Sequence, residues 1–355
     1  MVTTMKEALV SKGTRVQIVD TPIPEPNENQ VLIKVVVSGS NPKDWKLPDI
    51  FDCTTNEGDD IAGIVEKVGA NVFEFKPGDR VAAFHEMRTR GGSYAEYAIA
   101  WQHTTFHIPK STSFEEAAAI PLAAMTAAVG LYLRLALPQP WSPAPPTPTT
   151  QTPLIIYGAA SAVGIYAVQL AQRSNIHPVL CVAGRACDYV AGFLDSSKGD
   201  AVIDYRQGDE AVIAGLTKAL EGRPPIAHVF DAVSEKSSVP NIVEVLKQAG
   251  ARDAQGKLQA KVTFVLGSVK DELPEGVEKS ITMVGDVHND AKDFGYVYFR
   301  YFVRGLQEGW FKPQRTEVVP GGLGGIQTGL QNLKAGKASA VKYVFRIAET
   351  DGVQR

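Results

Sequence analysis

Short apolar runs recur throughout the chain, and their spacing differs between its two parts. From residue 1 to about 110, runs of strand character alternate with turns rich in proline and glycine. This pattern is typical of a small barrel or sandwich. From residue 154 onward, apolar runs alternate with segments of helical spacing, as in a parallel sheet covered by helices. The sequence therefore predicts an α/β protein with a β-rich domain and a doubly wound parallel-sheet domain.

The predicted elements follow these apolar runs. In the β-rich part the predicted strands are 16–19, 31–37, 61–69 and 81–84. A helix is predicted to begin at Phe114, because Glu115 and Glu116 would lie in its first turn, where the dipole favours negative charge. In the second part the predicted strands are 154–157, 179–183, 201–204, 228–231 and 262–266, with a helix at 210–220. The tail is predicted to form helices at about 294–308 and 321–334 and a strand at 341–347.

The stretch 154–171 predicts a strand, a tight turn and a helix. Gly158 and Gly164 flank the turn, while Ser161 and Ala162 fill places where glycine would be a stronger signal. A helix that starts at such a turn points its unpaired N–H groups and the positive end of its dipole at one spot, which suits a pyrophosphate. The pattern favours nucleotide binding, and an ordinary strand–turn–helix is the alternative.

Length, charge and cysteine content narrow the class of protein. A chain of 355 residues is long for a single core and indicates two domains. Its formal charge of −3 provides no basic field for nucleic acid or an anionic membrane. Three cysteines are too few for a disulfide framework and lack metal-knuckle spacing, which favours a reducing compartment. No nucleic-acid partner is expected.

Three further segments bear on location and domain division. The N-terminus lacks the charged-then-apolar build of a signal peptide. The longest uncharged run, 117–133, contains Pro121, Thr126 and Gly130, so a buried helix between domains is favoured over a membrane span. Seven prolines in the sixteen residues 138–153 leave no room for regular structure and predict an extended loop or linker rather than a proline-motif ligand. We expect a cytoplasmic protein without a membrane partner.

Three motifs of the β-rich part resemble those of the medium-chain dehydrogenase/reductase superfamily. They are the glycine- and valine-punctuated segment 58–69, Lys-Pro-Gly-Asp-Arg-Val at 76–81 and Gly-Gly-Ser-Tyr-Ala-Glu-Tyr at 91–97. The resemblance covers nearly the whole chain. It implies a GroES-like catalytic domain built from 1–122 and 280–355, and a Rossmann NADPH-binding domain at 123–279 that carries the proline-rich insert 138–153.

The chain departs from the zinc alcohol dehydrogenases of this fold. Those enzymes place Cys, His and Cys on the catalytic zinc, and the resemblance puts Asn41, Asp59 and Leu122 at these positions. Zinc needs three protein donors, mostly His or Cys, around an open fourth position. His103 and His107 lie in a β-rich context without a carboxylate partner, so surface or packing roles are favoured for them. We therefore expect a zinc-free member with no metal site.

Further motifs indicate the sub-family. The segment 39–46 is similar to the Asn-Pro-x-Asp stretch of quinone oxidoreductases. The proline-rich insert, the turn 157–164 and the segment 321–337 leading to 342–344 resemble those of fungal ToxD-like enoyl reductases. That group includes enzymes that act in trans with polyketide synthases. The resemblance therefore implies a reductase of activated double bonds.

The residue after the second Rossmann strand bears on the choice of cofactor. An NAD enzyme usually carries an acidic residue there for the ribose 2′-hydroxyl. In this chain the predicted strand ends in Gly184 and Arg185, with no carboxylate until Asp188. A guanidinium fork matches phosphate oxygens, so NADPH is favoured over NADH; the alternative is a solvated surface arginine. The resemblance implies a second contact with that phosphate or the adenine from Tyr205 and Arg206.

The resemblance also implies roles for individual side chains. Lys46 and Thr126 would line the nicotinamide pocket, with Asn41 beside them, although Thr126 could equally be a packed helix residue. Lys342 resembles the cation that binds the pyrophosphate, and a salt-bridged strand lysine is the alternative. Asp59 and its neighbour Asp60 are expected to cap or pair locally rather than act as acid/base catalysts. The cofactor-binding residues are predicted to be Gly158, Ala160, Ser161, Ala162, Val163, Gly164, Arg185, Tyr205, Leu266 and Lys342.

These expectations converge on an NADPH-dependent, zinc-independent reductase. Hydride would reach the β-carbon of an enone, quinone or polyketide enoyl thioester, whose carbonyl oxygen gains charge that nearby donors stabilise. The substrate is a small unsaturated carbonyl compound, either free or bound to a carrier protein, and a polyketide synthase is a candidate partner. The alternatives are one-electron quinone reduction and an NADPH-binding scaffold of a synthase with little turnover. The protein is expected to be a monomer or a homodimer.

Overall fold

The computed structural model describes residues 4–143, 145, 151–267, 269 and 272–353. Residues 144 and 146–150 of the proline-rich insert lie outside the described residues. The chain forms two compact units, the first built from Met1–Met125 and Gly285–Arg355 and the second from Thr126–Val284.

The strands and helices of the described residues are numbered in chain order. The strands are β1 (Thr4–Ser11), β2 (Arg15–Pro22), β3 (Gln30–Gly39), β4 (Asp60–Val68), β5 (Arg80–Phe84), β6 (Tyr97–Trp101), β7 (Thr105–His107), β8 (Leu154–Tyr157), β9 (Val179–Ala183), β10 (Ala201–Asp204), β11 (His228–Asp231), β12 (Ala260–Phe264), β13 (Val277–Ile281), β14 (Thr316–Val318) and β15 (Lys342–Arg346). The helices are α1 (Lys43–Phe51), α2 (Phe114–Ala117), α3 (Pro121–Ala128), α4 (Ala162–Arg173), α5 (Cys187–Ala191), α6 (Asp209–Leu220), α7 (Ser238–Ala249), α8 (Lys292–Glu308) and α9 (Ile326–Lys334).

The first unit is built on a mixed sheet. Its strands follow the order β14-β15-β3-β4-β5-β7, and β6 also pairs with β3. The pairs among β3, β4, β5, β6 and β7 are antiparallel, whereas β14 and β15 run parallel. Because β15 pairs with β3, the C-terminal segment completes a sheet begun near the N-terminus. The core beneath this sheet is rich in Val, Ile and Ala.

The second unit is a parallel α/β domain. Among the described residues its sheet has the order β10-β9-β8-β11-β12-β13, with every neighbouring pair parallel. Strands β8 and β9 consist entirely of buried residues, as expected for a sheet covered on both faces. The order reverses at β8, which is the doubly wound topology. The predicted fold class is confirmed.

A long apolar helical segment connects the two units. It spans Phe114–Arg134, combining α2, α3 and a final π-helical turn. A capping box starts it, since the Ser113 hydroxyl accepts from the Glu116 N–H and the Glu116 carboxylate accepts from the Ser113 N–H. The segment is long and apolar enough to cross a membrane, but 89% of its apolar window is buried inside the protein. That burial is typical of a core helix, as the prolines and small residues predict.

The turn between β8 and α4 requires glycine at two positions. Gly158 has a φ of 77°, and a Cβ there would lie 2.0 Å from Cγ2 of Val233. A Cβ at Gly164 would lie 2.3 Å from the carbonyl oxygen of Gly158. The helix therefore packs directly on the end of the strand, which is the role of glycine in a dinucleotide-binding turn.

Replacing Gly158 by alanine is expected to destabilise the second unit by about 2–4 kcal/mol, because left-handed strain and a steric clash act together. The matched control is Gly222→Ala, since Gly222 also has a positive φ of 69° but has no atom within 4 Å of the new Cβ. That control is expected to cost about 1 kcal/mol. Guanidinium unfolding followed by circular dichroism measures both values. Equal losses for the two variants would show that the contact with Val233 is unimportant.

Candidate functional site

The turn after β8 presents the N-terminus of α4. Ala160 lies half-buried in the turn, and Ser161 precedes the helix in an extended conformation, with its hydroxyl accepting from the Gly164 N–H at 3.0 Å. The first N–H groups of a helix have no acceptor within it. Those of Ala162 and Val163 therefore lie at the helix end, where an anion would bind. The serine that weakens the glycine pattern is the helix N-cap.

The strand order of this sheet reverses at β8, which lies between β9 and β11. In open parallel sheets, ligands bind at the carboxyl ends of the strands at such a point. Asp231 ends β11 and is fully buried. Its Oδ1 accepts from the N–H groups of Val233 at 3.0 Å and Ser234 at 2.7 Å, and its Oδ2 accepts from the Ser238 hydroxyl at 2.6 Å. Burial raises the pKa of Asp231. The Asp231 carboxylate therefore fixes the loop after β11, in which Val233 packs on Gly158.

The carboxyl ends of β9 and β10 lie next to the end of β8 along the same edge of the sheet. Arg185 is exposed and follows β9 by two residues, with Gly184 between. Tyr205 is 50% exposed, and its ring lies so close to Gly184 that a Cβ there would be 2.7 Å from ring atoms. Arg206 is bound to Asp204 by contacts of 2.9 and 3.0 Å from its Nε and 2.5 Å from its Nη2. The structure therefore brings Arg185 and Tyr205 to adjacent strand ends.

These features fit a dinucleotide. The close approach at Gly158 and Gly164 leaves the backbone accessible, and the end of α4 favours the negative charge of a pyrophosphate. An aromatic face and a guanidinium at the next strand ends suit an adenosine group. Asp188, the first carboxylate along the chain after β9, lies in the first turn of α5.

Two other predicted residues belong to the second unit. Leu266 is half-buried and lies two residues beyond β12. The preceding N–H, of Val265, donates to the Ser234 hydroxyl at 3.1 Å, which ties this segment to the loop after β11. Thr126 is buried in α3. Their roles toward the cofactor stay predictions.

Asn41 and Lys342 lie together in the first unit. Asp60 is fully buried, and its Oδ2 accepts from the Asn41 amide at 2.7 Å and the Lys342 ammonium at 2.5 Å. The Lys342 ammonium also donates to Asn41 Oδ1 at 2.9 Å. The other Asp60 oxygen accepts from the Leu122 N–H at 2.7 Å. Lys342 is 3% exposed and is a salt-bridged strand lysine, the alternative named above; its role toward a pyrophosphate stays a prediction.

Lys46 lies on α1, half-buried. Its ammonium is 5.5 Å from the centre of the Trp45 ring, and the ammonium of Lys334 from α9 is 5.0 Å from the same ring. Lys334 also pairs with Asp49 at 2.7 Å. These contacts join α1 to α9 and fix the face of α1 next to Lys46.

The three positions that resemble zinc-ligand positions hold other groups. Asn41 is bound to Asp60 and Lys342, Leu122 contributes an apolar side chain, and Asp59 pairs with Lys43 at 2.5 Å. An ammonium beside a carboxylate competes with a cation, and the donor set of a zinc site is missing. Among the residues that the structure describes, no group of three or more His, Cys, Asp and Glu is arranged to hold a metal ion. These residues do not fit zinc.

Sequence reasoning missed several residues that shape the site. The contacts of Asp231 could have been suspected, because the residue ends a predicted strand at the sheet edge where ligands bind. Asp60 was expected to pair locally, yet its partner Lys342 lies 282 positions away. Asp44 belongs to the Asn-Pro-x-Asp stretch noted in the sequence, but its bond to Tyr94 and the contacts of Lys43 with Glu57 and Asp59 had no local signal.

Comparisons with known proteins agree with this architecture. Residues 27–110 match the alcohol dehydrogenase GroES-like domain family. The chain is 49% identical over 321 residues to the trans-enoyl reductase fsr4 of Gibberella fujikuroi, covering 90% of this chain and 91% of that protein.

Two solved structures share the fold at lower identity. The CurK enoyl reductase has a TM-score of 0.74 at 17% identity, covering 96% of this chain and 98% of that one. The quinone oxidoreductase of Coxiella burnetii has a TM-score of 0.71 at 20% identity, covering 97% and 99%. The relationship to fsr4, with the match to the alcohol dehydrogenase GroES-like domain, shows that this oxidoreductase belongs to the trans-enoyl reductases of the medium-chain dehydrogenase/reductase superfamily.

Proposed function

We propose that the protein uses NADPH to reduce the C=C bond of a polyketide enoyl thioester, presented by a partner synthase, without a metal ion. The observation that carries the proposal is the reversal of strand order at β8: α4 begins at the turn after β8, and Arg185 and Tyr205 follow the ends of the next two strands, β9 and β10. A 2′-phosphate suits the exposed guanidinium, and no carboxylate precedes Asp188 after β9.

The bound nicotinamide would supply hydride to the β-carbon, and the protein would orient the acceptor and stabilise charge on its carbonyl oxygen. Lys46 and Thr126 are the side chains proposed to act on the acceptor. The Asn41 amide donates to Asp60 and accepts from Lys342, which supports a positioning role rather than the transfer of a proton. Metal-free reduction is supported by the side chains at positions 41, 59 and 122, which do not suit zinc.

The activity is tested with a small enoyl thioester. We expect NADPH to be consumed with this acceptor and not with its saturated counterpart, because hydride needs an electrophilic β-carbon. Loss of reduced-nicotinamide absorbance and a product heavier by two hydrogens would be measured together. Tight NADPH binding without consumption would support the scaffold alternative, and semiquinone formed from simple quinones would support one-electron reduction.

Arg185→Gln is expected to raise the KM for NADPH about 10- to 100-fold, because a charge-assisted contact with the 2′-phosphate is lost. The KM for NADH should change little, since NADH lacks that phosphate. Arg252→Gln is the matched control, because this exposed arginine donates to the carbonyls of Gly256 and Lys247, close to it in the chain, and has no predicted role toward the cofactor. Steady-state kinetics with both cofactors measure this. An equal change in both KM values for Arg185→Gln would contradict the choice of NADPH.

A further inference from the structure

One lysine and three carboxylates are buried together in the first unit. We call Lys43, Asp44, Glu57 and Asp59 the Lys43 cluster. The Lys43 ammonium lies 2.5 Å from Asp59 Oδ2 and 3.2 Å from both Asp44 Oδ1 and Glu57 Oε2. It also donates to the Glu57 carbonyl at 2.6 Å. The side chain of Lys43 is 17% exposed and those of the three acids are at most 2% exposed.

The cluster holds more negative than positive charge. Ionised groups removed from water are costly unless they are paired with opposite charge. In this cluster a single ammonium group, that of Lys43, contacts three carboxyl groups. Asp59 Oδ1 and Glu57 Oε1 are buried and have no hydrogen-bond partner among the residues that the structure describes. Burial raises the pKa of Asp59 to about 8 and that of Asp44 to about 6. At neutral pH the cluster therefore retains a proton, mainly on Asp59, and depends on Lys43 for the remaining charge.

The cluster also holds the beginning of α1. Lys43 and Asp44 are the first two residues of this helix, whose N-cap position is Pro42 and makes no side-chain cap. Asp44 Oδ2 instead accepts from the Asn41 N–H at 2.7 Å and from the Tyr94 hydroxyl at 2.6 Å. The ionic contacts of Lys43 then join α1 to the segment that enters β4. They replace the missing cap with tertiary contacts.

We propose that Lys43 is a positioning residue for the reduction: its ammonium fixes the start of α1 and thereby the place of Lys46, one turn further along the helix. The proposal rests on the proposed function, because that function gives Lys46 its role. A displacement of about 1 Å at a reacting group can lower a rate about 100-fold, so an anchor on the same helix bears directly on kcat.

Other charged groups near the cluster are already neutral or paired. Burial lowers the pKa of His85, whose Nδ1 contacts the Ile99 carbonyl at 2.7 Å, so this ring stays uncharged at neutral pH. Burial raises the pKa of Tyr94 well above its ordinary value. Asp60 is paired with Lys342. The cluster groups whose charge changes near neutral pH are therefore Asp59 and Asp44.

Lys43→Met tests the positioning role, since it keeps the side-chain length and removes the charge. We expect faster amide hydrogen exchange across 43–51 and a kcat about 10- to 100-fold lower. The KM for NADPH should stay within about twofold, because the phosphate-binding turn belongs to the second unit. Lowering the pH from 8 to about 5.5 should restore much of the exchange protection, because protonation of Asp59 and Asp44 removes the unpaired charge.

Two controls accompany this variant. Lys12→Met removes an exposed lysine that lies 3.5 Å from Asp52, beyond the other end of α1, and should leave exchange and kcat unchanged because surface pairs contribute little. Lys43→Arg retains the charge and should preserve most of the protection even if Lys43→Met folds poorly.

Exchange protection in Lys43→Met that equals the wild type, or that does not respond to pH, would overturn the proposal. Absence of turnover in the wild type would count against the proposed function, while exchange would still test the anchor.

Asp59→Asn tests the charge of the cluster through pH. The pKa of Asp59 in the folded protein, about 8, lies above its unfolded value of about 3.9. Protonated Asp59 therefore contributes fully to the free energy of unfolding below about pH 3.9, and this contribution is lost as the pH rises through about 8. The variant should therefore be more stable than the wild type at pH 8, and its free energy of unfolding should vary less between pH 4 and 8. Asp52→Asn is the exposed control. Superimposable pH profiles for Asp59→Asn and wild type would refute this role.

Discussion

The first unit depends on a carboxylate that has no access to water. Asp60 is fully buried, and such a charge is tolerated only when it is paired and hydrogen-bonded. Its partners come from three distant parts of the chain: Asn41 after β3, the Leu122 N–H in α3 and Lys342 in β15. Because the buried Asp60 carboxylate needs the Lys342 ammonium, the C-terminal segment that carries Lys342 is held against the sheet that the N-terminal strands began. The segment that returns the chain to its first unit is thus held by charge as well as by strand pairing.

The nucleotide-binding half could be predicted from sequence because local rules determine it. The strands β8, β9, β10 and β11 have continuous apolar runs, and the turn before α4 carries its own glycines and N-cap. The end of β12 was predicted two residues too late, at Leu266 instead of Phe264. The apolar run continues there, but the N–H of Val265 is shared between the Asp231 carbonyl at the end of β11, at 3.3 Å, and the Ser234 hydroxyl in the loop after β11, at 3.1 Å. The spacing of hydrophobic residues therefore does not predict the residue at which the hydrogen bonds between two strands end.

The half that carries Lys46 was less predictable because long-range contacts determine it. Helix α1 has proline at its N-cap position and a second proline, Pro48, inside, so local propensity argues against it. Its stability comes from Asp44, which binds Tyr94, and from Lys43, which reaches Glu57 and Asp59. The sequence shows these residues as scattered charges, and only the fold reveals which of them share one buried site. For the same reason the two alternatives for Lys342 could not be separated before its partner was known.

The two buried lysines also explain how the chain tolerates acids at positions 59 and 60. Asp59 and Asp60 are both buried, and a carboxylate removed from water is costly without a cation beside it. Lys43 supplies that cation for Asp59, and Lys342 supplies one for Asp60. Removing either lysine alone leaves a charge that the interior cannot solvate. Each acid and its lysine therefore form one physical unit, and these two pairs balance charge within the chain beside Asn41.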